Sequence, residues 1–216
     1  MENETIDGKL LFDKNAITNG RDVDAISSVL TEYGYDAETM NSGMALYETA
    51  DALHVKQKLE YGEQYAASDE FRIARAALNK TYMRHIKLAR IALKGNKATE
   101  EALQLSGDRK QAFPGWLQQA KTFYTNSLLS PIVLAELAKV NIPQEALTAA
   151  SLELVELEKK YNKQLKEKGE AQDATEKRDE ALDALQDWMS DYIGIARVAL
   201  EDDPQLLEML GIVEPS

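Results

Sequence analysis

Cysteine is absent from this 216-residue chain, which removes disulfides, thiolate metal sites and thiol catalysis together. Structure must come from packing alone. Proline and glycine are scarce, five and eleven residues, and they sit at the edges of long intervals rich in Ala, Leu, Glu, Lys and Gln. Such intervals favour helices and leave no composition for strands. Histidine occurs only at His54 and His85. There is no Gly-rich phosphate loop and no Ser/His/Asp set with a plausible orienting partner. No carboxylate pair stands out from the general abundance of Asp and Glu. The chain is therefore not expected to be an enzyme, and it offers no catalytic residue and no cofactor signature. Its formal net charge of −12 repels phosphate backbones and anionic surfaces, so neither nucleic-acid binding nor adsorption to anionic membranes is expected, and membrane insertion is not expected for lack of a spanning segment. The chain opens with no basic stretch leading into an apolar run, and no segment approaches the length of a membrane span. The expectation is a soluble, cytoplasmic protein.

What the chain does have is an internal repeat. Sliding the sequence by 107 positions (137 − 30) places Leu30 on Leu137 and Glu38 on Glu145, without a gap through Leu93 on Leu200. The same register superposes Lys56-Gln57 on Lys163-Gln164, Gly62-Glu63 on Gly169-Glu170, and Ala89-Arg90 on Ala196-Arg197. A gapless match at half the chain length indicates duplication of a supersecondary unit. Repeat 1 is placed at 26–107 and repeat 2 at 133–211, inside a single domain spanning 1–216.

Start and stop signals recur with the repeat. Asp36 is positioned to cap one long helix and Pro143 to open its counterpart. Gly62 and Gly169 read as helix ends, and Ser68 and Thr175 read as caps of returning arms over 69–94 and 176–201. Each copy thus reads as a helical hairpin, at 37–94 and 144–201. The segments ending in Gly107 and Gly211 read as short closing helices, three residues out of register with each other, and Trp116–Leu129 reads as a further helix between the hairpins. The stripe Leu147, Ala150, Leu154, Leu157, Tyr161, Leu165 would remain wet in a lone hairpin. Two hairpins facing each other cover both stripes. The expected fold is all-α, with the duplicated hairpins forming a pseudo-twofold four-helix bundle accompanied by short helices.

Three residue sets invite a functional reading. Asp51 and His54 share the carboxylate-x-x-His spacing of di-metal bundles, but their counterparts Glu158 and Tyr161 carry a phenol where an imidazole is required. His85 likewise corresponds to Tyr192. Both exchanges fit planar side chains that bury a ring and satisfy one polar atom, so neither histidine is expected to hold a metal. Arg90 and Arg197 repeat among small residues and suit either an anion site or internal ion pairs. Hairpin geometry favours the pairs, Glu38 with Arg90 and Glu145 with Arg197. Finally, Trp188, Tyr192 and His85 could line a cavity between hairpins for a small molecule.

The run from Lys168-Gly169-Glu170-Ala171 through Thr175-Glu176-Lys177-Arg178-Asp179 to Pro204-Gln205-Leu206-Leu207-Glu208-Met209-Leu210-Gly211 resembles a group of uncharacterised bacterial helical proteins, over about the last third of the chain. That resemblance implies a helical fold and brings no activity, ligand or site residue. The leading reading is a non-enzymatic helical module for protein–protein interaction or self-association. The alternative is a ferritin-like bundle binding a metal or small molecule.

Overall fold

The computed structural model describes residues 5–212, and among them the secondary structure is entirely α-helical. The helices are α1 (Ile6–Asp22), α2 (Asp24–Glu32), α3 (Ala37–Ala92), α4 (Lys97–Ala102), α5 (Phe113–Leu129), α6 (Pro131–Lys139), α7 (Gln144–Ala199) and α8 (Pro204–Met209). Among the described residues no helix is long and apolar enough to cross a membrane. Every boundary of α5–α8 lies 107 residues (113 − 6) after its counterpart in α1–α4. The recurrence therefore begins at α1, ahead of the expected start at residue 26, and includes α5 as the counterpart of α1.

Local chemistry sets these boundaries. Thr5 Oγ1 accepts from the Gly8 N–H at 3.1 Å to start α1, and Asp36 Oδ1 accepts from the Thr39 N–H at 2.9 Å to start α3. Single residues, Val23 and Ser130, join α1 to α2 and α5 to α6. The turns into the long helices use a left-handed residue at the same place, Gly34 (φ +88°) and Asn141 (φ +60°), the two residue types that tolerate it best. After the short helices the left-handed residues are Gln104 (φ +51°) and Gly211 (φ +78°), also 107 apart (211 − 104). The three-residue slip expected at this point does not occur. Gln104, not Gly107, occupies the position equivalent to Gly211, and Leu105 and Ile212 close equivalent turns by donating to the Glu100 and Leu207 carbonyls.

The principal correction concerns the hairpins. Residues 62–68 and 169–175 are helical, so α3 and α7 each run unbroken for 56 residues, and neither hairpin, 37–94 or 144–201, forms. The expected pseudo-twofold bundle thus has no hairpins to build from. A glycine inside a helix costs about 1 kcal/mol, and the residues around Gly62 and Gly169 are strong helix formers without a proline to force a break. The expected caps serve other bonds. Ser68 Oγ accepts from Gln164 Nε2 at 3.3 Å, and Thr175 Oγ1 donates to the Ala171 carbonyl at 2.9 Å.

The chain divides into two compact units, Met1–Gly62 with Gly169–Ser216, and Glu63–Lys168. The first unit holds α1, α2, the start of α3, the end of α7 and α8. The start of α3 runs antiparallel to the end of α7, with the Tyr35 ring 5.8 Å from Trp188 and 5.3 Å from Tyr192, and Thr175 Oγ1 3.5 Å from the Tyr61 hydroxyl. Its core joins Leu10, Ile17, Ile26, Leu30 and Met40 to Leu185, Met189, Tyr192, Leu200 and Leu210. The second unit holds the end of α3, α4, α5, α6 and the start of α7. Phe71 of α3 meets Tyr161 of α7 at 5.3 Å, and the core joins Leu78, Tyr82, Ile86 and Leu93 to Trp116, Phe123, Tyr124, Leu137, Leu147 and Leu154.

Equivalent positions in the two cores compensate for one another. In the first unit the fully buried Tyr192 donates to the Ala16 carbonyl at 3.0 Å, beside Ile17 and Gly20. At the same places the second unit has His85, Phe123, Tyr124 and Ser127, and His85 Nδ1 lies 3.1 Å from the Tyr124 hydroxyl. The phenol has moved from the long helix to the facing one. A Cβ on Gly20 would come within 2.0 Å of the Tyr192 oxygen, whereas the shorter His85 leaves room for Ser127.

Two expected outcomes follow from this exchange. Gly20→Ala loses about 1–3 kcal/mol by overpacking against a ring that is held in place, although Gly→Ala in a helix ordinarily stabilises. Ser127→Ala gains stability, on the order of 1 kcal/mol, because the buried Ser127 hydroxyl has no hydrogen-bond partner among the described residues. Urea unfolding of both variants checks the opposite signs.

Candidate interaction grooves

A groove of about 690 Å³ opens in the second unit along α3, lined by Phe71, Arg72, Arg75, Asn79 and Met83 on one side and by Arg109, Lys110, Gln111 and Trp116 on the other. Its floor is apolar and well fixed. The indole N–H of Trp116 donates to Asn79 Oδ1 at 2.8 Å, and Phe71 packs edge-on to Phe113 at 4.9 Å. Cations frame the floor. The Arg75 guanidinium lies over Phe113 at 5.7 Å and over Trp116 at 6.0 Å, and it donates to the Gln111 carbonyl at 2.5 Å. Arg109 donates to the Tyr82 hydroxyl at 3.1 Å and to the Ser106 carbonyl at 2.8 Å, while its Nε is buried with no partner. Burial raises the Tyr82 phenol above its ordinary range against the pull of Arg109, so it meets the guanidinium as a neutral acceptor. Among the described residues, Arg75, Arg109 and Lys110 form no ion pair with any carboxylate.

The first unit has a smaller groove of about 420 Å³ at the equivalent place, lined by Ile6, Lys9, Asp179, Leu182, Asp183 and Gln186. Its charge is reversed. Along α7 the exposed residues Asp179, Asp183, Asp187 and Asp191 form a row at four-residue spacing, and the positions 107 residues earlier on α3 are Arg72, Ala76, Lys80 and Arg84. Steps of four put about 6 Å between members and turn each row about 40° per step, so it winds gradually along its helix, in α3 from the groove of Arg72 to the hollow lined by Lys80 and Arg84. Only Asp179 and Arg72 have local partners, Arg178 and Asp69. Asp183, Asp187, Asp191, Lys80 and Arg84 have none among the described residues. A row of like charges at this spacing works against its own helix.

The sequence-derived candidates are dispersed. Asp51 and His54 belong to the first unit, and Glu158 and Tyr161 to the second. His54 is buried; its Nε2 lies 3.0 Å from Asp7 Oδ1, and its Nδ1 has no partner. Lys58, at 3.1 Å, and then His54 hold the Asp7 carboxyl below the usual carboxylate range. Glu158 accepts from Lys121 at 2.7 Å, and Tyr161 packs 4.5 Å from Phe113. Trp188 and Tyr192 stack at 5.1 Å in the first unit, whereas His85 belongs to the second.

The arginine pairing is overturned. Because α3 does not turn back, Glu38 and Arg90 stand 52 residues apart on one helix (90 − 38) and belong to different units, as do Glu145 and Arg197. Arg90 instead donates to the Leu105 carbonyl at 2.6 Å and the Gly107 carbonyl at 3.2 Å, fastening the turn after α4. It also lines a hollow with Glu100, Ser106 and Asp108. Sequence reasoning missed the basic groove because Arg75 and Arg109 are far apart in the chain. The opposed rows are a difference between the two copies rather than an identity, and the alternation of sign is readable in the 107-residue register.

Comparison with protein families, with curated proteins and with solved structures finds no match.

One titration is diagnostic of the second unit. Burial, and then the Arg84 charge, push His85 below its ordinary value of 6.5, so the folded unit holds it neutral. The unfolded chain therefore takes up that proton first as pH falls. Stability is fully present above about pH 6.5 and declines below it, and His85→Gln flattens that decline in denaturant titrations repeated across the window.

Proposed function

We propose that the protein is a non-enzymatic interaction module made of two copies of one four-helix repeat, in which the α3 groove of the second unit receives an acidic helical segment of a protein partner. The observation that carries this reading is the set of three cations, Arg75, Arg109 and Lys110, which have no carboxylate partner among the described residues and surround the apolar Trp116 floor in a chain of net charge −12. Cations left uncompensated in an acidic protein favour an acidic occupant, and the overall negative field disfavours nucleic acid. The apolar floor supplies the anchor that charge alone lacks, since exposed ion pairs contribute little. The duplication is supported by the shared 107-residue spacing of every helix boundary.

The experiment is a titration of Trp116 emission, in a Trp188→Phe background, with a synthetic acidic helical peptide carrying one aromatic residue. A salt-sensitive spectral change is expected. Arg75→Glu and the exposed Lys110→Glu should each weaken binding about tenfold, the scale of losing one charged contact. No spectral change, or binding indifferent to both substitutions, contradicts the proposal.

A further inference from the structure

We infer that the acidic helix received by the second unit is the Asp179–Asp191 face of α7 from a second copy of this chain. The inference rests on the groove reading above and adds the identity of the occupant. Arg72, Lys80 and Arg84 repeat the pitch of Asp179, Asp187 and Asp191 because both rows occupy the same positions of the repeated helix. Laid parallel, the rows bring Asp179, Asp187 and Asp191 opposite Arg72, Lys80 and Arg84. Laid antiparallel, they bring Asp191, Asp183 and Asp179 opposite the same three cations. In either direction the one acid facing Ala76 falls beside Arg75.

The rows also define what is refused. A second unit meeting another second unit sets Lys80 and Arg84 against themselves, and two first units oppose four aspartates to four aspartates. Only first unit against second unit is attractive, so each copy presents one donor face and one acceptor face, the arrangement of a heterologous contact. Among the described residues Asp183, Asp187, Asp191, Lys80 and Arg84 have no ion-pair partner, and this contact supplies partners to both sets at once. Apolar surface accompanies the charge on each side, through Leu182 beside Asp179 and Asp183 of the acidic row, and on the basic row through Phe71, Met83 and Trp116 in the groove beside Arg72 and Leu88 and Ile142 in the hollow beside Lys80 and Arg84.

Sedimentation velocity on the full chain tests the inference at about 0.1 M and about 1 M salt, where the screening length falls from about 10 Å to about 3 Å. Reversible association is expected at low salt, weakened at least about tenfold at high salt. The Asp187→Lys/Asp191→Lys variant, basic on both faces, should be monomeric, as should Lys80→Glu/Arg84→Glu, acidic on both. Mixing the two variants should restore association. All four positions are exposed, and circular dichroism confirms that each variant keeps its helices. A wild-type chain that stays monomeric at low salt while the synthetic acidic peptide still perturbs Trp116 overturns self-association and leaves the groove reading intact. A monomeric chain that also ignores the peptide overturns both. Association indifferent to the charge reversals, or variants that fail to complement when mixed, likewise defeats the inference.

Discussion

The absence of a helix break in the middle of α3 and α7 determines everything else in the structure. Each helix carries an apolar stripe along both of its halves, and a 56-residue helix without a turn cannot cover one half with the other. The covering must come from elsewhere. In each unit the start of one long helix is covered by the end of the other, and the short helices close the remaining sides. The same constraint separates Glu38 from Arg90 and Glu145 from Arg197, and it frees Arg90 to hold the turn after α4.

Once two equivalent cores exist, their residues change in linked sets. Tyr192 needs Gly20 and tolerates Ile17; His85 needs Tyr124 and admits Ser127. In each case one buried ring nitrogen or phenol finds one polar partner, since an unpaired buried group costs more than the bond gains. Exposed positions carry no such coupling. The rows along α3 and α7 are therefore open to full reversal of charge without disturbing what lies beneath, and Arg72, Lys80 and Arg84 stand over the same kind of buried face as Asp179, Asp187 and Asp191.

Much of this was legible in the chain. Helical content, the 107-residue register, the Asp36 cap and the buried, partnered character of His54 and His85 follow from residue type and spacing. The hairpins failed for an instructive reason. Gly62 before Ser68, and Gly169 before Thr175, imitate a helix stop followed by a start, yet a lone glycine only taxes a helix, whereas a break would expose the stripes of α3 and α7. Helix α1 escaped notice because Ile6, Lys9, Ala16 and Ile17 stand where α5 has Phe113, Trp116, Phe123 and Tyr124, so its likeness is one of place rather than of type. The groove of the second unit depends on Arg109 reaching Tyr82 and on Arg75 lying over Trp116, contacts that no spacing rule announces.

Amide hydrogen exchange through residues 60–70 and 167–177 tests the unbroken helices most directly. Continuous α3 and α7 give slow exchange through Gly62 to Ser68 and through Gly169 to Thr175, comparable with the helical residues on either side. A window of fast exchange confined to those two stretches, flanked by protected arms, would mean that the chain turns there, and would contradict the account.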